Sequence, residues 1–282
     1  MHACGAPMNV SDAGQALVWL HSQGIGLVFL LVLASVRCFV LFMVLPATGQ
    51  DAIPGAARNG VVYLLGGFVA YGQPPDLLAR IDPLTLFGLV GKEAFVGLMI
   101  GYAASTIFWV AQNVGTVIDD LAGFNNVQMS NPLHGDQSTP VSNTILQTSI
   151  TLFYVLGGMI MLLGAVFESY RLWPLATLQP DTRQLATQFV LQSTDNMMTA
   201  TVKLSAPVML VLVLVDLGFG LVARSADKLE PSNLSQPVRG ALALLMLALL
   251  MQVFVSQLLD ELSFVHFQAK IGQFLSGSAA TH

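Results

Sequence analysis

The chain has 282 residues, 54% of them hydrophobic and 10% charged, with a mean hydropathy of +0.69 and a formal net charge of -5. Soluble domains carry about 25% charged residues, and a soluble fold of this length could not bury so much apolar surface. The charge is spread along the chain with no basic run suited to nucleic acid or anionic lipid, and two cysteines, Cys4 and Cys38, suggest neither a disulfide framework nor a thiolate metal site.

Residues 1–25 lack the basic segment and small-residue cleavage site of a secretory signal and are expected to stay with the mature chain. A bilayer-crossing helix needs about 20 mostly apolar residues. The first such run covers 26–46, closed by Pro46, with Arg37 at its middle. A charge there costs at least about 2.5 to 3.5 kcal/mol on insertion scales and needs a partner or water. The second run, 56–71, is shorter, follows Pro54, precedes Pro74-Pro75, and carries Arg58 and several glycines; it reads as a tilted or partly embedded helix. The third, 84–111, sets Gly97, Gly101 and Ser105 four residues apart, a stripe of small side chains that lets two helix backbones approach closely.

A polar segment follows. Asp119-Asp120 precede a glycine turn at Gly123, and the loop 124–139 is too polar to rest in lipid unless it lines water or contacts protein. Its Phe124, Val127, Met129 and Leu133 could form a soft apolar constriction; the plainer reading is a solvated connector. The fourth run, 141–167, is followed by Pro174 and Pro180. Between 179 and 203 the apolar residues at 185, 186, 189 and 190 fit a short amphipathic surface helix. The fifth run, 204–223, holds Pro207 near its start, where it could kink the helix, and Asp216 at mid-span. Opposite sign and similar position make Asp216 the candidate partner of Arg37, as a structural pair or a proton relay. The sixth run, 238–259, follows Pro237.

The expected fold class is therefore all-α, with polytopic membrane-type helical hairpins, about six hydrophobic helices, and one domain over 1–282. Within it 1–25 is an N-terminal segment, 26–260 holds the helices and 261–282 is a tail. Basic residues divide four against six between the two sides, too small a bias to orient the chain. Neither half of the chain mirrors the other as inverted-repeat transporters do.

Catalysis finds no support in the residues. Adjacent Asp119 and Asp120 point in different directions on a helix, whereas an aspartyl dyad needs carboxylates converging from separate elements. The five histidines never fall at ligand spacing, and no phosphate-loop, nucleophile-elbow or zinc pattern occurs.

Several segments together resemble a known family. They are 93–101 (Glu-Ala-Phe-Val-Gly-Leu-Met-Ile-Gly), Phe108-Trp109, 112–123 (Gln-Asn-Val-Gly-Thr-Val-Ile-Asp-Asp-Leu-Ala-Gly), Pro132, 167–170 (Phe-Glu-Ser-Tyr) and Trp173-Pro174. Arg37 with Leu45-Pro46, Ala206-Pro207 and 216–221 (Asp-Leu-Gly-Phe-Gly-Leu) extend the match over about 27–250. The chain is similar to the T-class export-apparatus proteins of bacterial type III secretion systems, SctT, relatives of flagellar FliR. One segment departs: 224–234 (Arg-Ser-Ala-Asp-Lys-Leu-Glu-Pro-Ser-Asn-Leu) replaces the Ala-Pro-Gln-Leu-Asn-like motif of many members.

The resemblance implies an inner-membrane, multi-pass subunit in a helical export-gate assembly, raised toward the periplasm in the complex. It implies a non-enzymatic role with no metal or cofactor. With SctR and SctS the subunit would form the pore through which unfolded secreted proteins leave the cytoplasm, in contact with SctU, SctV and the inner rod or needle. It assigns a plug to the loop holding Phe124, Asn125, Asn126, Val127, Gln128, Met129 and Leu133, and a packing role to Gly97, Gly101, Arg37 and Asp216. The alternative is a self-contained secondary transporter using Arg37 and Asp216 as a coupling pair.

Overall fold

The computed structural model describes residues 10–50, 52–74, 82–124, 129–130, 137–177, 183–225 and 231–261. Its helices are α1 (Val10–Val44), α2 (Gly55–Tyr71), α3 (Pro83–Ala122), α4 (Pro140–Val155), α5 (Gly158–Leu172), α6 (Arg183–Ser225) and α7 (Pro231–Glu261), with a 3-10 turn at Pro46–Thr48. Among the described residues the fold is all-α apart from one two-residue antiparallel ladder, β1 (Met129–Ser130) with β2 (Gln137–Ser138), which pairs Met129 with Ser138 and Ser130 with Gln137.

Three helices among the described residues are long and apolar enough to cross a membrane, within Gly26–Val44, Leu84–Ala122 and Phe189–Val222. A fourth is reached by counting α4 and α5 as one span. The expected count of six is not confirmed among the described residues. The run 141–167 breaks into α4 and α5, which meet at 69°, where Gly157 takes a positive φ of 75° that side chains with a Cβ resist. Two further boundaries differ. Residues 183–225 form one continuous helix that absorbs both the amphipathic segment and Pro207, and α7 starts at Pro231 with Pro237 inside it.

The chain divides into two compact units. The first holds residues 1–101 and 169–179, the second 102–168 and 180–282, so α3 and α5 each contribute to both. In the first unit α1 packs along α2. Gly66 of α2 meets Ser35 of α1 so closely that a Cβ would collide with the serine side chain and backbone. Thr48, fully buried, donates its hydroxyl toward Phe42 O (2.8 Å) and Leu45 O (3.0 Å), satisfying carbonyls left open at the end of α1. Leu30, Leu33 and Leu41 of α1, Leu45 just past its end, and Leu89 and Val96 of α3 are all but inaccessible to solvent.

In the second unit one apolar core joins four helices: Ala111, Val114, Ile118 and Ala122 from α3, Val141 and Ile145 from α4, Val208 and Leu212 from α6, and Ala243 from α7. Phe108 and Phe153 meet edge to face at 5.4 Å beside it. Only 17% of the most apolar window of α6 is buried, against 50% for α3. Leu210, Val213, Leu214, Leu217 and Leu221 project outward, a face suited to lipid or to neighbouring subunits.

Candidate functional site

Two constellations hold the polar groups that an apolar chain must justify. The first lies in the first unit, around Arg37. Its guanidinium makes a fork to Glu93, Nε to Oε2 at 2.8 Å and Nη2 to Oε1 at 3.0 Å, and both residues are fully buried. Nη1 donates to Ser169 Oγ at 2.7 Å, Nη2 also donates to the Trp173 carbonyl at 3.1 Å, and the Tyr170 ring covers the guanidinium at 3.8 Å. The planar, multiply donating fork explains why arginine rather than lysine suits this position.

Lys92 joins the same centre from its edge. Its Nζ lies 2.7 Å from Glu93 Oε1 and donates to the carbonyls of Pro174 (2.7 Å) and Leu175 (3.3 Å). Two cations thus hold the carbonyls just past the end of α5, where the helix dipole is negative. Tyr170 completes the cage by donating its hydroxyl to the Ala34 carbonyl at 2.8 Å.

The approach of α3 to α1 makes this geometry possible. A Cβ at Gly97 would strike the backbone carbonyl of Arg37, and one at Gly101 would lie 3.2 Å from Leu41 Cα. Glu93 stands one turn before Gly97 on the same face, which delivers its carboxylate to Arg37. Ser105, four residues beyond Gly101, is fully buried in the second unit.

The Arg37–Asp216 pairing expected from the sequence is therefore corrected: each has a different partner inside its own unit. Asp216 Oδ1 lies 2.6 Å from Arg239 Nε, joining α6 to α7 in a half-exposed ion pair whose N–H is not aligned as a hydrogen bond. Sign and mid-span position could not distinguish Asp216 from Glu93. The signal that could have done so was the small-residue stripe, which fixes the α3 face turned toward α1.

The second constellation brackets the loop that follows α3. Helix α3 ends at Ala122, and Gly123 turns the chain with φ 78°. Phe124 then sets its ring against Gly240 of α7, where a Cβ would lie 3.1 Å from the ring edge. On the far side, α4 begins at Pro140 after Thr139, whose side chain makes no capping bond. The open N–H groups of Val141 and Ser142 are instead met by the fully buried carboxylate of Asp119, at 3.2 Å to Oδ1 and 2.9 Å to Oδ2. Ser142 Oγ donates to the Gln112 carbonyl at 3.0 Å and lies 3.2 Å from Thr116 Oγ1. Gly115 sits directly against the Ser142 backbone, leaving no room for a Cβ.

Between these points the described backbone of β1 pairs antiparallel with that of β2. Asn125, Asn126, Val127, Gln128 and Leu133 lie outside the described residues, and of Met129 only the backbone pairing is described. Asp119 thus serves as a helix cap supplied by a neighbouring helix, with the exposed Asp120 turned away from it. No group of three or more metal-ligating side chains occurs among the described residues.

Residues 28–265 match the model of a family described as bacterial export proteins, family 1. The chain is 29% identical over 228 residues to the Yop proteins translocation protein T of Yersinia pestis, covering 80% of this chain and 86% of the relative. It is 28% identical over 255 residues to the surface presentation of antigens protein SpaR of Salmonella typhimurium, covering 89% and 92%. To the flagellar biosynthetic protein FliR of Bacillus subtilis it is 28% identical over 228 residues, covering 80% and 86%.

Proposed function

The chain belongs to the bacterial export proteins, family 1, and from that premise we propose that it is a structural and gating subunit of a type III secretion export gate. In this reading it forms, with SctR and SctS, the pore through which unfolded proteins pass the inner membrane. It does so by supplying wall and seal rather than by catalysis. SctU, SctV and the inner rod or needle are its further partners, and the assembled subunit stands raised toward the periplasm.

One observation carries the gating part of this reading. The polar segment in an otherwise apolar chain is flanked by two anchored points, Phe124 against Gly240 of α7 and the start of α4 on Asp119. Polar backbone at membrane depth is tolerated where it lines water or is buried in protein. A loop held at both ends between long helices meets that condition if it faces a pore. The outward apolar face of α6 supports the assembly part, since neighbouring helices can cover it. With each member of the Arg37–Asp216 pair otherwise engaged, the transporter reading loses the feature that motivated it.

Deleting residues 125–133 tests the seal. The expected result is an assembled complex that leaks small ions, measured as conductance in membranes containing it together with SctR and SctS. Assembly at normal yield with unchanged conductance would reduce the loop to a connector.

A further inference from the structure

Most outward faces of this chain are apolar, but those of the adjoining ends of α3 and α4 are not. On α6 the exposed side chains include Leu210, Leu214, Leu217 and Leu221, and on α2 Leu64 and Phe68. On α3 the exposed positions from residue 112 onward are Gln112, Thr116 and Asp120, four residues apart and so on one face. On α4 the exposed positions before Tyr154 are Thr144, Gln147 and Thr151, again at helical spacing, while Val141, Ile145, Ser149 and Phe153 are buried. Both stripes lie on helices that are apolar enough to belong to membrane spans. The two helices meet here, with Thr116 Oγ1 3.2 Å from Ser142 Oγ and Gly115 directly against the Ser142 backbone.

We propose that these two stripes form a water-facing wall of the passage along which an unfolded protein moves; this rests on the export reading. A polar side chain on the outward face of a membrane-type helix has to meet water or another protein. The hydroxyl chemistry decides between them. Each threonine hydroxyl donates within its own helix: Thr116 to the Gln112 carbonyl (2.9 Å), Thr144 to Pro140 (2.7 Å), Thr148 to Thr144 (2.8 Å) and Thr151 to Gln147 (2.8 Å). The hydroxyl oxygens are left as acceptors. A neighbouring helix has its backbone N–H groups bonded within itself and offers such a surface few donors, whereas water and the free N–H groups of an unfolded chain offer many. Apart from Asp120 at the end of α3, the exposed positions of the two stripes carry no charge and no large apolar group. A polypeptide of any sequence can therefore pass without a fixed charge to hold it or an apolar patch to adhere to.

Cysteine accessibility in a secreting complex tests this. With Cys4→Ser, the buried Cys38 is the remaining native thiol. Thr144→Cys, Gln147→Cys and Thr151→Cys are introduced singly, with Leu210→Cys and Leu217→Cys on α6 for comparison, and bacteria exporting a reporter protein are treated with a charged, membrane-impermeant maleimide. Labelling is expected to be about tenfold or more faster at the α4 positions, because a thiol reacts as its thiolate, which forms in water. Reporter secretion is expected to fall in proportion to the labelling. If one variant fails to assemble, Thr116→Cys on the neighbouring stripe takes its place.

Labelling no faster on α4 than on α6 means that the face is not in water, and rapid labelling with unchanged secretion means that it faces water outside the passage. Either result overturns the wall. The seal is judged separately. If the 125–133 deletion leaks while labelled α4 cysteines leave secretion intact, the wall falls and the gate reading stands. If labelling stops secretion while the deletion does not leak, the wall stands and the seal fails.

Discussion

Replacing Glu93 tests the physical logic of the buried charge centre. Its carboxylate receives Arg37 twice, at 2.8 and 3.0 Å, and Lys92 once, at 2.7 Å, while Arg37 and Glu93 are both fully buried. Taking away one partner of a buried pair costs about 3–5 kcal/mol, because the other charge stays desolvated and unmatched. Arg37 would keep Ser169 Oγ, the Trp173 carbonyl and the Tyr170 face, and a desolvated cation–π contact is worth about 2 kcal/mol. Glu93→Gln, which retains one acceptor, should therefore fall near the low end, about 3 kcal/mol, and Glu93→Ala near about 5 kcal/mol. These correspond to losses in the folded-to-unfolded ratio of about 100-fold and a few thousandfold, respectively. Arg37→Met should cost less than Glu93→Ala, since Glu93 remains paired with Lys92. The apolar double variant Arg37→Met/Glu93→Leu should recover most of the loss, because well-packed apolar replacements of buried pairs are often neutral or better. Reversible unfolding in detergent, followed by steric trapping, measures all four. A Glu93→Gln variant within about 0.5 kcal/mol of wild type, or a double variant worse than Glu93→Ala, would refute the reasoning.

The glycines supply two further tests of packing, with opposite expected signs. Gly97→Leu forces a side chain into the Arg37 carbonyl and should lower complex yield, an overpacking cost of about 1–3 kcal/mol or more; yield equal to wild type would contradict the close α1–α3 approach. Gly164, inside α5 with open space where a Cβ would go, should gain about 0.5–1 kcal/mol on replacement by alanine, read as a higher melting temperature in detergent; a loss would show that something packs there.

The apolar runs were legible because hydropathy alone marks them, and proline marked several of their ends. The break within 141–167 was written as Gly157-Gly158, but a glycine pair in an apolar run reads equally as a packing site. Only the observed φ of Gly157 distinguishes a turn. Continuity of this helix back to residue 183 is not legible for the opposite reason: Pro207 and the polar stretch before it suggest a boundary, yet its ring removes one ladder bond and the remaining bonds of a 43-residue helix carry the backbone past it. Asp119 lies in the last turns of α3, before the glycine turn that the sequence marks; its capping role depends on the arrival of α4, 22 residues later in the chain. Glu93 stood in the sequence beside Lys92, its partner at 2.7 Å, and its longer-range bond to Arg37 needed the helix face that Gly97 defines. Apolar periodicity thus revealed the elements, while partners separated by 56 residues, as Arg37 and Glu93 are, became visible only in three dimensions.

Co-expression with the R-class and S-class export subunits, followed by affinity purification through a tag on this chain, tests the central claim most directly. The account predicts that both subunits are recovered with it in one detergent-stable complex, and that the tagged chain alone gives little stable material. Recovery of the chain as a stable, solitary particle that leaves both subunits behind would contradict it.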